Sequence, residues 1–229
     1  MMIGLYLCLN LAVLWIVARA SAANGLRLAL MLLLAGFVVG SANSLIEALF
    51  FHVLRARDLV AAALPAAIVF AVLAPIAVLI AGRWRRGAAA SDAGRGGFTP
   101  LTLLGVIAAY ELLYWSAGTL VFPYIAHFYE ARSLPPVYEV AAVQIVRSLV
   151  FVGAVYPLLR NGLRSAPIVL ALVYSIIGGV APLLPDNPYM PPDIRFYHGI
   201  EVTVSNFIFG LVVGWLFAWR PRRPVAAQA

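Results

Sequence analysis

Seven long apolar stretches divide the chain, and short polar or arginine-containing segments separate them. A helix that crosses the hydrocarbon core of a bilayer needs about 20 mostly apolar residues, and each stretch is close to that length or longer. The stretches lie at roughly 2–18, 28–54, 59–82, 101–128, 137–159, 165–184 and 194–219. The pattern predicts an all-α, polytopic membrane helix bundle of about seven transmembrane helices, forming a single transmembrane domain over residues 1–229.

The composition agrees with this pattern. The chain has 229 residues, of which 64% are hydrophobic and 11% charged, and its mean hydropathy is +0.97. Soluble domains carry about 25% charged residues, so an ordinary soluble domain is excluded. The net charge of +7 comes from 16 arginines and no lysine. These arginines fall in short clusters between apolar stretches, which is typical of topology signals, and no nucleic-acid partner is predicted.

The distribution of arginines orients the bundle. With the N-terminus outside and the C-terminus cytoplasmic, eleven arginines fall in cytoplasmic segments and four in outer segments. This bias follows the positive-inside rule and predicts a multi-pass membrane protein in this orientation. Ala20-Ser21-Ala22 resembles a signal-peptide cleavage site. However, no positive charge precedes the first stretch, whereas Arg19 and Arg27 follow it, which favours a retained first helix.

Two connecting segments differ from the rest. The polar segment 83–97, rich in arginine, glycine and alanine, predicts a flexible linker. The proline-rich segment 184–193 cannot be regular helix throughout, because proline removes a donor and restricts the residue before it. We expect it to form a stiff loop on the outer side.

Small residues predict close contacts between helices. Membrane helices approach one another most closely where glycine exposes the backbone. Such positions occur in the second helix at Gly36 and Gly40, and in the last helix as Gly210-x-x-x-Gly214.

Ionisable residues inside a bilayer are costly, so they usually face the bundle interior. Glu111 lies near the middle of the fourth helix and Arg147 near the middle of the fifth. Their similar depth and opposite charge predict a structural ion pair. Tyr110, Tyr114 and Gln144 are placed to complete its hydrogen bonds.

A second polar layer is predicted nearer the outer surface. Asn43 and Glu47 are four residues apart and share one face of the second helix. The last helix carries a polar face at helical spacing: His198, Glu201, Ser205 and Asn206. Because the second helix runs outward and the last runs inward, Glu47 and Glu201 reach similar depth.

Two carboxylates and an imidazole can perform general acid/base chemistry. The candidate catalytic residues are Glu47, His198 and Glu201. The candidate substrate-binding residues are Asn43, Ser205, Asn206 and Tyr114. In an enzyme, one glutamate would act as base and His198 or the other glutamate as acid, on a lipid or isoprenoid that enters from the bilayer.

Two other functions fit the same residues. The carboxylates could carry the coupling proton of a proton- or cation-coupled transporter. Alternatively, the polar layer could only fix helix register in a structural subunit, bound to membrane lipids, to another membrane protein or to further copies of the chain.

No cofactor is predicted. Three histidines fall toward the outer side, His52, His127 and His198, and three histidines can bind zinc. The chain has no His-x-x-x-His or His-Glu-x-x-His spacing, so a zinc site remains only an alternative. Cys8 is the only cysteine, which excludes an internal disulfide.

The polar motifs also carry a resemblance. The last helix and the loop before it combine Pro185-x-Asn187-Pro188-x-Met190-Pro191, Arg195, His198, Glu201 and Ser205-Asn206-Phe207-x-x-Gly210. Earlier helices add Asn43-x-x-x-Glu47, Tyr114-x-x-x-Gly118, Pro123 and Phe128-Tyr129. Over most of its length the chain resembles a family of uncharacterised bacterial polytopic integral membrane proteins. The resemblance implies a bacterial origin, and hence a multi-pass protein of the bacterial cytoplasmic (inner) membrane, and it transfers no chemistry.

Seven helices with histidines on the outer side are also similar to the zinc-dependent, membrane-embedded ceramidases and adiponectin-receptor-like hydrolases. Those hydrolases have a His-x-x-x-His pair. Here Val202 stands where the pair that begins at His198 needs its second histidine.

Overall fold

A computed structural model describes residues 1–85, 98–130, 134–185 and 190–218. It contains seven helices that are long and apolar enough to cross a membrane: α1 Met2–Ala20, α2 Gly25–Phe50, α3 Ala56–Ile80, α4 Pro100–Tyr129, α5 Val137–Arg160, α6 Ala166–Leu183 and α7 Pro192–Phe217. No β-strand occurs in the described ranges. The prediction of an all-α chain with seven spans is confirmed. Parts of three predicted segments lie outside the described residues: most of the 83–97 linker, residues 186–189 of the proline-rich loop, and residue 219 at the predicted end of the last helix.

The helices alternate in direction, so the bundle has two ends. We call the end where α1 begins the N-terminal face and the opposite end the C-terminal face. Helix α7 packs against α4 and α6, whereas α3 packs against α1 and α2. Helix α5 contacts both α2 and α4. The order α2, α5, α4, α7 therefore follows neighbouring helices around one side of the bundle.

Helix α2 ends at Phe50, four residues before the end that the apolar pattern predicts. His52 adopts a left-handed conformation with a φ of 55°. The His52 N–H donates to the Leu49 carbonyl at 3.1 Å, and the Val53 N–H donates to the Ala48 carbonyl at 2.9 Å. These two bonds form a Schellman motif, which closes a helix once one residue turns left-handed. Hydrophobicity alone cannot locate such an end.

Two helices contain a π-helical segment. It covers Val38–Ala42 in α2 and Val173–Val180 in α6. The two segments pack together: a Cβ atom on Gly178 would lie 2.9 Å from Val39 Cγ1. Such segments alter the backbone hydrogen-bond ladder and are frequent at functional sites.

Glycines allow two of the closest helix contacts, as the sequence predicts. A Cβ atom on Gly210 would lie within 2.5 Å of the α6 backbone, and one on Gly214 would also overlap that backbone. Gly36 and Gly40 instead make room for the buried ring of Phe70 on α3. Helices α6 and α7 therefore pack backbone against backbone, whereas α2 and α3 pack backbone against side chain.

Arginines bind the end of α1 at the C-terminal face. The Arg83 guanidinium donates to the carbonyls of Ser21 and Ala23, and the Arg164 guanidinium donates to the Arg19 carbonyl at 3.0 Å. The last carbonyls of a helix have no partner within the helix, and basic side chains can satisfy them. These two arginines thus tie neighbouring segments together, a role beyond the topology signal predicted from their positions.

Four aromatic side chains fill the centre of the bundle, and we call them the aromatic layer: Tyr110, Phe151, Tyr174 and Phe209. All four are buried. The ring centroids of Tyr110 and Phe209 are 5.0 Å apart, and those of Phe151 and Tyr174 are also 5.0 Å apart. The Tyr174 hydroxyl donates to the Phe151 carbonyl at 2.9 Å, so its polar atom is satisfied inside the layer.

Candidate functional site

An ion pair joins α2 to α5. Glu47 Oε1 lies 2.8 Å from Arg147 Nη1, and the two side chains are 21% and 8% exposed. Arg147 Nη1 also donates to Gln144 Oε1 at 2.7 Å. The guanidinium carbon lies 5.9 Å from the centroid of the Tyr110 ring, at the edge of the aromatic layer. Arg147 is therefore held by a carboxylate, an amide and a ring.

The predicted Glu111–Arg147 ion pair is wrong in its acidic partner. Glu111 Oε2 instead accepts a hydrogen bond from the Trp115 indole at 2.8 Å, one turn along the same helix, and Glu111 Oε1 has no hydrogen-bond partner among the described residues. Tyr110 faces the core, and the next residue of a helix points about 100° away. Depth along the helix and charge do not report the direction in which the Glu111 side chain points, and for this reason the sequence predicted the wrong partner.

A second pair lies on α7. His198 Nδ1 is 3.1 Å from Glu201 Oε2, and the side chains are 25% and 12% exposed. The other oxygen, Glu201 Oε1, lies 3.6 Å from the position of a Cβ atom on Gly118. This is an ordinary van der Waals distance, so α4 passes directly beside this carboxylate at Gly118, a position that the sequence did not reveal.

The two pairs belong to one polar region. The charges of Glu47 and Arg147 both act on His198, and Tyr114 of α4 interacts with the charges of Glu47, Arg147 and Glu201. We call this region the polar cluster: Asn43, Glu47, Tyr114, Gln144, Arg147, His198 and Glu201. Helices α2 and α7 do not pack mainly on each other: α2 contacts chiefly α3, and α7 contacts chiefly α4 and α6. Among the described residues no hydrogen bond joins the two pairs, and they are related by electrostatic interaction alone.

Several atoms of the polar cluster have no hydrogen-bond partner among the described residues. They are Nε2 of Gln144, Nε of Arg147 and both amide atoms of Asn43, whose side chain lies beside the Tyr110 hydroxyl without a hydrogen bond of standard geometry. Asn43 and Gln144 are fully buried, and Arg147 is 7% exposed. A buried polar atom without a partner costs about 1–3 kcal/mol, so native proteins keep few of them. The cluster presents three donors and one acceptor suited to a polar group.

Ser205 and Asn206 bond to helix backbone. Ser205 Oγ donates to the Glu201 carbonyl at 2.7 Å within α7. Asn206 Nδ2 donates to the carbonyls of Tyr174 and Gly178 at 3.2 and 3.5 Å. Both carbonyls belong to the π-helical segment of α6, which alters the usual ladder of backbone bonds. These two predicted substrate-binding residues therefore have structural partners, whereas Asn43 and Tyr114 belong to the polar cluster.

The cluster carries an uneven set of charges. Two carboxylates, Glu47 and Glu201, face one arginine, Arg147. With a neutral His198 the four groups sum to one negative charge, and with a protonated His198 they sum to zero. Histidine ordinarily changes charge near neutral pH. The cluster can therefore hold one exchangeable proton without leaving a net charge in the bundle.

The other two histidines lie apart from the cluster. His52 is exposed at the end of α2. His127 Nε2 is 3.1 Å from Asp193 Oδ2, which joins the ends of α4 and α7 at the N-terminal face. Within the described ranges no group of three or more histidine, cysteine or acidic side chains is placed to hold a metal ion.

A groove of about 490 Å³ opens at the N-terminal face. It lies between the end of α2 and the beginning of α5, the helices that carry Glu47 and Arg147 deeper in the bundle. Its lining is mostly apolar, with one imidazole and one carboxylate: Leu49, Phe50, His52, Leu134, Pro135, Pro136 and Glu139. No residue of the polar cluster is among this lining.

Seven apolar spans around a buried polar cluster are consistent with a multi-pass membrane protein. No protein family, curated protein or solved structure matches the chain. The polar cluster itself is therefore the basis for any inference about function.

Proposed function

We propose that this protein binds a small or lipid-like ligand at the polar cluster and exchanges a proton with it. The observation that carries the proposal is the set of unpartnered buried atoms on Asn43, Gln144 and Arg147 beside two charged pairs. Polar atoms at this depth cannot reach bulk water, so a ligand that supplies acceptors and one donor would remove their cost.

The two pairs take different roles in this proposal. Arg147 already neutralises Glu47, which makes Glu47 a poor base and suits it to fixing the arginine. Glu201 has no cationic partner other than His198 among the described residues, so it is the better proton acceptor. In the reaction or binding event, Glu201 accepts a proton from the ligand and His198 returns one. The amides of Asn43 and Gln144 orient the ligand.

The aromatic layer favours a site that is reached from one side. Tyr110 and Phe151 each lie one turn toward the C-terminal face from a cluster residue, Tyr114 and Arg147 respectively. These two rings pack closely with Tyr174 and Phe209 and form an apolar layer below the cluster. This supports ligand handling from the N-terminal face or the bilayer over transport through the bundle.

The location is part of the same proposal. The excess of arginine in alternate segments and the resemblance to bacterial integral membrane proteins support a bacterial inner membrane, with the N-terminal face outside. The groove at that face and the bilayer around α4 and α7 would then be the two routes to the cluster.

Removal of the Asn43 amide tests the proposal. Asn43→Leu keeps the branched shape and the number of side-chain heavy atoms and removes two unpartnered polar atoms, so we expect unchanged or higher thermal stability together with loss of a co-purifying molecule in native mass spectrometry. Asn10→Leu is the matched control, because Asn10 is also buried with an unpartnered oxygen but lies on α1 outside the cluster. If both variants retain the same bound molecules as the wild type, the cluster is structural.

Proton exchange has a separate readout. Infrared difference spectra between acid and neutral pH should show a carboxyl band that disappears in Glu201→Gln. Glu139→Gln, at an exposed position beside the groove, should leave that band intact. A band that persists in Glu201→Gln would remove Glu201 from the proposed role.

A further inference from the structure

The two faces of the bundle carry different charges. The described part of the C-terminal face has six arginines, which we call the arginine group: Arg19, Arg27, Arg83, Arg85, Arg160 and Arg164. No aspartate or glutamate occurs in the described segments of that face. The N-terminal face carries both signs, and two of its pairs, Arg57–Asp58 and His127–Asp193, are 3.9 and 3.1 Å apart. Positive charge therefore collects at one end of the bundle without a carboxylate beside it in the described structure.

Backbone hydrogen bonds join the segments that carry the arginine group. The turn after α1 pairs with the turn after α5, since the Ala22 N–H donates to the Gly162 carbonyl at 2.9 Å. The beginning of α2 pairs with the residues after α3, where the Gly25 N–H donates to the Arg83 carbonyl at 2.8 Å. These bonds hold the charged segments together, so the arginines repel one another until an anion approaches.

Most of the arginine group is open to a ligand. Five of its members are exposed, and only Arg83 is half-buried. Arg83 is tied to the carbonyls of Ser21 and Ala23 and so fixes the turn after α1. Arg164 uses Nη2 to bind the Arg19 carbonyl at 3.0 Å. A guanidinium has five N–H donors in a planar fork, so the exposed Arg164 keeps donors for a further acceptor. Phosphate oxygens fit this fork because they accept two parallel hydrogen bonds.

Neighbouring side chains place the arginine group at the level of lipid headgroups. Trp84 lies between Arg83 and Arg85 in the chain and is 44% exposed, and tryptophan is enriched where a membrane meets water. Helices α2 and α3 expose apolar side chains next to this level, Leu30 and Ile80, each 55% exposed. A phospholipid beside these helices would have its acyl chains along Leu30 and Ile80 and its phosphate at the level of the arginines.

We propose that the C-terminal face binds the headgroups of anionic phospholipids from the adjoining leaflet, through the exposed members of the arginine group. An anionic headgroup removes one unit of net positive charge from this face, whereas a zwitterionic headgroup removes none. Each basic side chain near an anionic membrane surface strengthens binding about five-fold. The site works in either orientation of the bundle. It shares no residue with the polar cluster, so it does not rest on the proposed function.

Native mass spectrometry of the purified full chain tests the preference. The protein is titrated with phosphatidylglycerol or with phosphatidylcholine of the same acyl chains, and the lipid-bound fraction gives an apparent Kd for each. Phosphatidylglycerol should bind more tightly. The double variant Arg27→Gln/Arg160→Gln should weaken its binding about 30-fold, because two exposed charges are removed. The matched control, Arg55→Gln/Arg57→Gln, removes two exposed arginines from the N-terminal face and should leave the Kd unchanged.

Cross-linking locates the bound lipid. Phosphatidylglycerol with a photoreactive diazirine on its headgroup is added to the protein, and labelled peptides are identified by mass spectrometry. Labels should fall on residues 19–27 and 160–164 and be absent from residues 52–58. Equal labelling of both faces, or the same loss of affinity in both double variants, would overturn the proposal.

Salt and free phosphate distinguish a lipid site from a site for small anions. Sodium chloride should weaken phosphatidylglycerol binding, because exposed charges are screened, and Arg27→Gln/Arg160→Gln should reduce this salt dependence. Inorganic phosphate at the same concentration as the lipid should not displace phosphatidylglycerol, since it has no acyl chains to lie along Leu30 and Ile80. Displacement by phosphate would mean that the face binds free anions and would contradict its assignment to lipid.

Discussion

Glu47 and Arg147 lie 100 residues apart in the chain, yet Glu47 Oε1 and Arg147 Nη1 are 2.8 Å apart inside the bundle. The contact joins α2 to α5 and occupies the arginine on the side that faces α2. Glu111 instead accepts a hydrogen bond from Trp115 within α4. The choice of carboxylate partner therefore makes Arg147 a link between α2 and α5 and not between α4 and α5.

Breaking this pair should destabilise the protein. Arg147→Met leaves the Glu47 carboxylate without its cation, and we expect a loss of about 3–5 kcal/mol in the free energy of unfolding. Adding Glu47→Gln should recover a large part of the loss, because the uncompensated charge is then removed. Unfolding in mixed detergent micelles measures both variants.

Glu111→Gln provides the control for that experiment. If Arg147 had Glu111 as its partner, Glu111→Gln would recover stability in the Arg147→Met background as well as Glu47→Gln does. The structure predicts recovery only from the change at Glu47.

Two glycine variants should change stability in opposite directions. A Cβ atom on Gly210 would overlap the α6 backbone, so Gly210→Ala should cost about 1–3 kcal/mol through forced separation of α6 and α7. Gly153 is exposed in α5 with no atom within 4 Å of its Cβ position. Gly153→Ala should therefore be neutral or stabilise by up to about 1 kcal/mol, since alanine is the better helix former. Thermal denaturation distinguishes the two, and equal effects would mean that α6 and α7 are not in backbone contact.

Asn206 and Ser205 are adjacent, and only one of them should matter for packing. Asn206→Leu removes the donor to two carbonyls of the α6 π-helical segment and should cost about 0.6–2 kcal/mol. Ser205→Ala removes a bond within α7 and should change stability by no more than about 0.5 kcal/mol. Hydrogen exchange at residues 173–180 should rise in the first variant and not in the second. Faster hydrogen exchange in both variants would mean that the packing of α7 as a whole, and not the Asn206 side chain, stabilises the π-helical segment.

His52→Gly should stabilise the protein. His52 has a φ of 55° at the end of α2, a conformation that costs a residue with a Cβ atom about 1–2 kcal/mol and costs glycine little. The side chain is exposed, so little packing is lost. An increase in melting temperature is the expected result. His52→Ala, which keeps the Cβ atom, should show no such increase, and a decrease for His52→Gly would mean that the imidazole itself is needed at the groove.

The seven-helix fold could be predicted from the sequence because the thickness of the hydrocarbon core alone determines how many apolar residues each span needs. About 20 apolar residues are needed to span hydrocarbon, and seven stretches meet that length whatever their neighbours are. The ends of the helices were harder to predict from the sequence. The end of α2 depends on the backbone conformation of His52, which hydropathy does not report. The π-helical segments likewise depend on local contacts such as that between Gly178 and Val39.

The site could be predicted only in part from the sequence, for a related reason. Depth along each helix placed Glu47, His198 and Glu201 at the same level, because a helix rises by a constant 1.5 Å per residue. Direction around each helix could be read from spacing only within one helix, as for His198 and Glu201. Which helix faces which is a property of tertiary packing. The partner of Arg147 and the position of Gly118 beside Glu201 therefore came only from the structure.

The contact between α6 and α7 also bears on the order in which the molecule is assembled. Chains fold from the N-terminus as they are synthesised, and α7 is the last of the seven spans. Helices α2 and α5 reach the membrane earlier, so the bond between Glu47 and Arg147 can close before α7 exists. His198 and Glu201 arrive only when Gly210 docks on the finished α6. Until that moment the nascent chain holds the ion pair without His198 and Glu201, so under the proposed function the cluster can bind its ligand only after the last insertion step.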